Sequence, residues 1–263
     1  MEILVIYTRV MELVDLGDLE SSAMNGVWVR FPPLVPVKYK EKYKVMICVS
    51  GMISVGKSTL AKKLGEHFGT EVLYEKVEGN KILPLFYTMS EEELQRNRIP
   101  FLLQLDFLDS RFKTIKQSLI DDNTVNDRSI YEDKYFCRKN MELGRISELE
   151  YEIYCNLVDN MMEELESLPK KAPDLMIYLK ADFDTILKRM RKRGREFELD
   201  EGLIDYYHFL WKDYDEWVHD YYDASEILVI DTNELDLANN EEHVQMVMKM
   251  VEEKLKEVRE KHD

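Results

Sequence analysis

The sequence contains little that would direct the protein to a membrane, a secretory route or a metal. No run approaches the roughly 18 consecutive apolar residues needed to cross a bilayer, and the N-terminus lacks the pattern of a secretory signal. Its three cysteines, Cys48, Cys137 and Cys155, are odd in number and widely spaced, which predicts reduced, buried thiols. The five histidines form no metal-binding motif. We therefore expect a soluble, cytoplasmic protein without membrane attachment.

Positive charge is also scarce. The 36 lysines and arginines stand against 52 aspartates and glutamates, which gives a net charge of −16. Proteins that bind nucleic-acid polymers usually carry an excess of basic residues, because neutralising the phosphates supplies most of the affinity. The charge balance argues against a nucleic-acid partner and favours a small phosphorylated ligand in a locally basic pocket.

The first 44 residues differ in character from the remainder of the 263-residue chain. They show little hydrophobic periodicity, and the segment 31–36 contains three prolines. We expect residues 1–44 to be an N-terminal extension, poorly ordered or loosely docked, and residues 45–263 to form the main domain. The alternative is that the extension forms an extra hairpin or helix on that domain.

From residue 45 onward, short apolar runs alternate with helical periodicity, as is typical of βαβ units. Strands are predicted at 45–49, 71–75, 123–126, 174–179 and 226–230. Helices are predicted at 57–68, 147–168 and 241–260. Because parallel strands are joined by helical crossovers, the sequence predicts an α/β fold, with a five-stranded parallel sheet and helices on both faces.

Each of these three helices has an apolar face that is expected to point into the core. The first face consists of Leu60, Leu64 and Phe68. The second consists of Leu149, Ile153, Leu157, Met161 and Leu165. The third consists of Val244, Val247, Val251, Leu255 and Val258.

A phosphate-binding motif follows the first predicted strand, where residues 51–58 match G-x-x-x-x-G-K-[ST]. The glycines allow backbone N–H groups to turn toward phosphate oxygens, and the start of the following helix attracts the same anion. We expect Lys57 to reach the β- and γ-phosphates and Ser58 to ligate Mg²⁺. A glycine turn with an exposed lysine is the alternative. The predicted ATP-binding residues are Gly51, Met52, Ile53, Ser54, Val55, Gly56, Lys57, Ser58 and Thr59.

Three charged clusters lie where a phosphoryl acceptor would bind, at or after the ends of predicted strands. Glu75 suits a general base, or is a solvated strand-end carboxylate. Asp127 and Arg128 suit a site that holds Mg²⁺ and developing phosphate charge, or form a structural ion pair. Residues 188–195 contain six cations and suit a closing lid, or a solvated helix end.

In their order along the chain, these segments resemble the deoxynucleoside kinase family, in particular bacterial deoxyadenosine/deoxyguanosine kinases. The resemblance covers about residues 45–258. It rests on the phosphate motif, E-x-V-E-x-N at 75–80, a helix containing Gln104 and Arg111, D-R-S at 127–129 with Asp133, and K-R-G-R-x-x-E at 192–198. The resemblance implies a P-loop kinase fold with an arginine-rich lid, and transfer of the γ-phosphate of ATP to the 5′-hydroxyl of a deoxyribonucleoside. It favours a purine and implies a homodimer, to which the 147–168 helix is expected to contribute.

The resemblance also implies roles at the reacting phosphate. Glu75 would be the general base on the 5′-hydroxyl. Arg128 would bind near that hydroxyl and the transferred phosphate, with Asp127 on the Mg²⁺ side. Arg193 and Arg195 would be arginines of the lid.

A second group of residues is implied to bind the nucleoside. Gln104 and Asp133 would hydrogen-bond the nucleobase, with Arg111 orienting Asp133. Glu198 would hold the 3′-hydroxyl of the sugar, together with Tyr87.

The sequence departs from the family pattern at residue 76, where Lys76 replaces the usual proline after the catalytic glutamate.

Three other functions are weighed against the kinase. A monophosphate kinase of the thymidylate type needs extra cations for its acceptor, which Glu75 and Glu198 would repel. A non-catalytic relative would be expected to lose Lys57 or Glu75. A nucleic-acid-binding ATPase using the cations at 188–195 disagrees with the acidic charge.

Overall fold

The computed structural model describes residues 23–24, 27–28, 44–75, 79–168, 170, 172–194 and 199–262. The chain divides into two compact units, Met1–Lys42 and Tyr43–Asp263. In the first unit, strands β1 (Ala23–Met24) and β2 (Val27–Trp28) pair antiparallel. Most of the expected extension at 1–44 lies outside the described residues, so its boundary stays a prediction.

The second unit is built on a five-stranded, all-parallel sheet. Its strands are β3 (Met46–Gly51), β4 (Glu71–Leu73), β5 (Thr124–Asp127), β6 (Leu175–Lys180) and β7 (Ile227–Asp231), and their spatial order is β4-β5-β3-β6-β7. The predicted sheet is therefore confirmed, with strand ends displaced by one or two residues. The largest shortening is at β4, which lies at the edge of the described sheet and pairs with β5.

Helices connect these strands and flank the sheet. They are α1 (Lys57–Phe68), α2 (Leu83–Thr88), α3 (Glu91–Arg96), α4 (Ile99–Asp121), α5 (Asp133–Glu142), α6 (Glu148–Leu165), α7 (Phe183–Arg193), α8 (Glu201–Lys212), α9 (Tyr214–Tyr221) and α10 (Glu241–His262). Capping boxes begin α3 at Ser90 and α6 at Ser147, where each serine accepts from the backbone N–H three residues on. None of the described helices combines the length and hydrophobicity required to span a bilayer.

The two faces of the sheet are covered by different helices. Successive side chains of a strand point to opposite faces. Accordingly, Ile47 packs in a cluster with Leu60 of α1 and Val251 of α10, whereas Met46 packs in another with Leu108 of α4 and α6 side chains. This arrangement confirms the prediction of helices on both faces and leaves the carboxyl ends of the strands open for a site.

The apolar face predicted for α6 is partly wrong. Leu149 and Ile153 are 65% and 54% exposed, while Tyr154 and Val158 are buried against the α4 side of the core. The helix has more apolar residues than one face can hold, and the bulky Tyr154 occupies the position turned to the core. Cys155 on the same helix is half-buried rather than buried. The inward valines and leucine predicted for α10 are all buried, as expected.

Candidate active site

The phosphate loop, residues 51–58, joins the central strand β3 to α1. Gly51 has a φ of 140°, and a Cβ there would lie 2.6 Å from the carbonyl oxygen of Leu179, so only glycine fits. Gly56 and Ser54 also have positive φ values, of 113° and 60°. Helix α1 begins without a side-chain cap, which leaves the N–H groups of its first turn available to an anion.

The side chain of Lys57 is buried inside this loop. Its Nζ donates to the carbonyl oxygens of Gly51 and Met52, at 2.8 and 2.9 Å. Burial, together with the nearby charge of Arg128, lowers the pKa of Lys57 to about 8, although Asp127, Glu132 and Glu75 act in the opposite direction. An anionic phosphate would provide the counter-charge that this lysine lacks.

Two oxygen ligands meet beside the loop. The Ser58 hydroxyl donates to Oδ2 of Asp127 at 2.5 Å, because β5 pairs with β3 and ends next to the loop. Desolvation raises the pKa of Asp127, while Lys57 and the Ser58 hydrogen bond act in the opposite direction. A carboxylate and a hydroxyl at this position are the hard oxygen donors that suit Mg²⁺.

The acceptor end of the site holds an alternating series of carboxylates and guanidinium groups. We call this series the ionic chain; in order, it consists of Asp133, Arg111, Glu75, Arg128 and Glu132. The successive nitrogen–oxygen distances are 3.0, 3.0, 3.3 and 2.7 Å. The five side chains come from three segments of the chain: Glu75 follows β4, Arg111 lies on α4, and Arg128, Glu132 and Asp133 follow β5.

The charges of the ionic chain shift the pKa values of its members. Burial disfavours the ionised form of Glu75, but Arg128 and Arg111 outweigh it, so the pKa of Glu75 lies below its usual value. Burial raises the pKa of Asp133 to about 7, because Arg111 only partly compensates for desolvation. Glu75 is therefore an ionised carboxylate at neutral pH, held between two cations.

One cavity of about 830 Å³ connects the phosphate loop to this acceptor end. The predicted residues that line it are Met52, Ile53, Ser54, Gly56, Lys57, Ser58, Thr59, Glu75, Tyr87, Gln104, Arg111, Asp127, Arg128 and Arg193. Gly51 and Val55 are buried parts of the loop and are not among the residues that line the cavity. Asp133 is fully buried behind Arg111, so its direct bond to a nucleobase stays a prediction. Arg195 and Glu198 lie outside the described residues.

The far end of the cavity has an apolar wall and one unsatisfied polar group. Gln104 lines the cavity, and its buried Oε1 atom has no hydrogen-bond partner among the described residues. Buried polar atoms are normally paired, so an unpaired acceptor on a cavity-lining side chain suits a ligand that donates to it. Tyr87 also lines the cavity, and its hydroxyl accepts from the hydroxyl of Tyr207 at 3.4 Å. The apolar wall, which sequence reasoning missed, consists of Leu83, Pro84, Phe86, Leu103, Phe107, Phe136, Tyr206 and Leu210.

Sequence reasoning also misjudged Arg189, which it grouped with the lid cations. Arg189 is half-buried and donates to the carbonyl oxygen of Val55 and to the hydroxyl of Thr232, both at 2.9 Å. It therefore fastens α7 to the phosphate loop and to the segment after β7. The sequence did not separate Arg189 from the exposed cations around it, because Arg191 also lies beside the buried Met190. The remaining part of the predicted lid, residues 195–198, is not described.

The comparisons with known proteins agree with this geometry. The family model for deoxynucleoside kinases matches residues 47–256. A deoxyguanosine kinase of Lactobacillus johnsonii is 43% identical over 216 residues, covering 81% of this chain and 93% of that protein. A deoxyadenosine kinase of Lactobacillus acidophilus is 41% identical over 216 residues, covering 81% of this chain and 97% of that protein.

The fold agrees as well. A solved structure of deoxyadenosine kinase from M. mycoides with bound dATP has a TM-score of 0.65 and 28% sequence identity, and covers 79% of this chain and 99% of that one. The resemblance inferred from the motifs is confirmed: the chain belongs to the deoxynucleoside kinase family.

Proposed function

We propose that this deoxynucleoside kinase transfers the γ-phosphate of ATP to the 5′-hydroxyl of a purine deoxyribonucleoside, giving the 5′-monophosphate and ADP. The observation that carries the proposal is the position of Glu75. Its carboxylate lies between Arg111 and Arg128, in the same cavity as the phosphate loop. The names of the deoxyguanosine and deoxyadenosine kinases that the chain resembles support a purine acceptor.

At the phosphate end, the loop backbone and the first turn of α1 bind the phosphates of ATP. Lys57 leaves the carbonyl oxygens of the loop and pairs with the β- and γ-phosphates. Ser58 and Asp127 are the residues that would hold Mg²⁺, which supplies positive charge against the phosphate oxygens. Their mutual hydrogen bond supports this assignment, because it brings the two oxygen donors to one place.

At the acceptor end, Glu75 accepts the proton of the 5′-hydroxyl during transfer. Its low pKa keeps it ionised, so it is ready to accept a hydrogen bond from the incoming hydroxyl. Arg128 stands between Glu75 and the phosphate loop and stabilises the charge that develops on the transferred group. In this type of reaction, the acceleration comes mostly from such positioning and electrostatics.

The nucleoside is bound by the residues farther from the phosphates. Gln104 hydrogen-bonds the nucleobase through its unpaired Oε1, next to Arg111, whose guanidinium is fixed by Asp133. Tyr87 binds the sugar near the 3′-hydroxyl. Arg193 acts from the end of α7 on the transferring phosphate, and the roles of Arg195 and Glu198 in the lid remain predictions.

The reaction class is tested with purified protein and Mg-ATP by following ADP release. Each of the four deoxyribonucleosides is offered separately, and so is each corresponding 5′-monophosphate. We expect turnover with a purine deoxyribonucleoside and none with its monophosphate, because the acceptor end carries carboxylates that repel a phosphate. Lys57→Ala serves as the control for ATP use and should release no ADP above background.

Turnover only with monophosphates would contradict the proposal and identify a monophosphate kinase of the thymidylate type. Failure to consume ATP with any nucleoside would instead indicate a non-catalytic relative.

We also propose that the chain acts as a homodimer in the cytoplasm, where thiols such as its three free cysteines stay reduced. The salt bridge between Arg98 and Glu150 brings the starts of α4 and α6 together. Leu102, Leu149 and Ile153 expose apolar side chains near this junction. Such a patch suits burial against a second copy.

The dimer is tested by light scattering on the eluted protein. We expect twice the chain mass for the unchanged protein and a monomer for Ile153→Lys. The matched control is Met246→Lys, an equally exposed apolar position on α10, which should stay dimeric. A monomeric unchanged protein would contradict the dimer without touching the proposed reaction.

A further inference from the structure

Glu132 is a fully buried carboxylate that the proposed transfer does not use. It ends a 3₁₀ turn, Ile130–Glu132, that begins directly after Arg128 and Ser129. A carboxylate removed from water is strongly disfavoured unless cations and hydrogen-bond donors satisfy its oxygens. Its burial therefore needs an explanation in terms of its partners.

Both oxygens of Glu132 have a partner that belongs to the site. Oε2 accepts from Nη1 of Arg128 at 2.7 Å. Oε1 accepts from the hydroxyl of Ser50, the residue immediately before the phosphate loop. The buried hydroxyl of Tyr214 lies beside the same carboxylate. Glu132 thus connects the guanidinium of Arg128 to the strand that carries the loop.

Arg128 itself sits on a constrained segment. Its φ of 89° is unusual for a residue with a side chain, and such conformations persist only where the surroundings fix them. Its guanidinium lies 5.1 Å from the centre of the Phe136 ring. On one side it contacts Glu75 and on the other Glu132, so two carboxylates compete for one cation.

This competition has a consequence for the reaction. A hydrogen bond from the acceptor hydroxyl competes with the ion pairs of Glu75 for its oxygens, whereas Glu132 is buried outside the lining of the cavity and keeps its bond to Arg128. Without Glu132, Glu75 would be the remaining carboxylate partner of this guanidinium within the ionic chain. The stronger ion pair would then hold Glu75, the general base, against Arg128 and away from the acceptor hydroxyl.

We propose that Glu132 is a positioning residue, which keeps the guanidinium of Arg128 aimed at the phosphate loop while Glu75 is released to the acceptor. This inference rests on the proposed role of Arg128. It also requires Ser50 to support Glu132, because the serine hydroxyl fixes the oxygen that Arg128 does not bind.

The experiment compares Glu132→Gln with Glu142→Gln under saturating Mg-ATP and purine deoxyribonucleoside. Glutamine keeps the size and one acceptor oxygen but removes the charge. Glu142 is the matched control: it lies at the end of α5 and is ion-paired with Lys139, outside the cavity. We expect Glu132→Gln to lower kcat about tenfold or more, with both KM values within about twofold. Glu142→Gln should leave all three within about twofold.

A purely structural role is separated by repeating the change in an Arg128→Ala background under single-turnover conditions. If Glu132 acts through Arg128, then Glu132→Gln changes the residual rate by less than about twofold there. It should also raise the Tm of that background, since it removes a carboxylate that has lost its cation. An equal loss of rate in both backgrounds would overturn the inference.

If Glu132→Gln is not folded at the assay temperature, Ser50→Ala is used in its place to test the inference. That variant should lower kcat about threefold in the unchanged protein and leave the Arg128→Ala background unaffected. Normal transfer by both Glu132→Gln and Ser50→Ala would refute this inference alone. Absence of transfer by the unchanged protein would refute the proposed function instead.

Discussion

The phosphate end and the acceptor end of the cavity are constructed in different ways. The phosphate end consists mainly of one contiguous segment, residues 51–59, in which backbone groups, glycine conformations and a helix start make most of the binding surface, with Asp127 beside it. The acceptor end combines Glu75 after β4, Arg111 on α4 and the residues 128–133 after β5, and these hold one another through the ionic chain. The first is a local structure, and the second exists only after the whole unit has folded.

This difference determines how each end responds to change. Backbone groups do not depend on their neighbours' side chains, so altering one side chain in the phosphate loop leaves the remainder intact. In the ionic chain, each of the three inner charges pairs with two others, and removing one leaves a buried charge without its partner. Substitutions at the acceptor end should therefore couple strongly, and those at the phosphate end should not.

The largest expected effect is the loss of catalysis when Glu75, in the middle of the ionic chain, is changed. Glu75→Gln removes the proton acceptor but keeps the side-chain volume, so we expect kcat to fall about 10³-fold. Steady-state kinetics with the preferred deoxyribonucleoside measures the loss. Glu71→Gln, at an exposed position on β4, the strand that precedes Glu75, should leave kcat unchanged. Turnover by Glu75→Gln close to that of the unchanged protein would remove the assigned role.

The next effect concerns stability at the acceptor end. Arg111→Ala leaves Glu75 and the buried Asp133 without a shared cation, so we expect the free energy of unfolding to fall by about 3 kcal/mol. Urea denaturation at neutral pH measures it. Adding Asp133→Asn to Arg111→Ala should recover part of this loss, because it removes one unpaired carboxylate. Lys57→Ala at the phosphate end should change stability far less, and an equal loss in both single variants would contradict the contrast between the ends.

The smallest effect is a proton taken up at the phosphate end. The pKa of Lys57 is lowered to about 8, so above that pH the free lysine is largely neutral. Bound phosphates favour the charged form, so ATP binding near pH 8.5 should take up a proton, and near pH 6.5 Lys57 should take up almost none. Calorimetry in buffers of different ionisation enthalpy measures the uptake. Lys57→Met should lack this contribution, and an unchanged uptake in that variant would assign the proton to another group.

The same contrast explains how much could be predicted from the sequence. The five strands, the phosphate loop and the inward face of α10 depend on local spacing, so patterns of glycine and apolar residues were sufficient. Asp127 and Glu75 could be placed at the site because the carboxyl ends of parallel strands meet at one edge of a sheet.

Apart from the contact of Arg111 with Asp133, which the resemblance implied, the ionic chain could not be predicted from the sequence, because it depends on packing between distant segments. In the sequence, nothing distinguishes Glu132 from the many other acidic residues. Its burial and its bond to Arg128 become visible only in the structure. Arg189 carries the same sequence signal as the exposed cations beside it, although it bonds the phosphate loop. Leu149 and Ile153 are apolar like the buried residues of α6, and tertiary contacts alone decide which of them face the core.

One measurement tests whether the two ends form a single cavity. It is a calorimetric titration with one linked compound, in which an oligophosphate joins the 5′-position of adenosine to the 5′-position of a purine deoxyribonucleoside. If both ends belong to one cavity, one such molecule fills it per chain. Its Kd should then lie at least about a hundredfold below that of ATP or of the nucleoside alone, because binding of the second half is intramolecular. A Kd no lower than that of ATP, or binding of the linked compound together with ATP, would contradict a single continuous cavity.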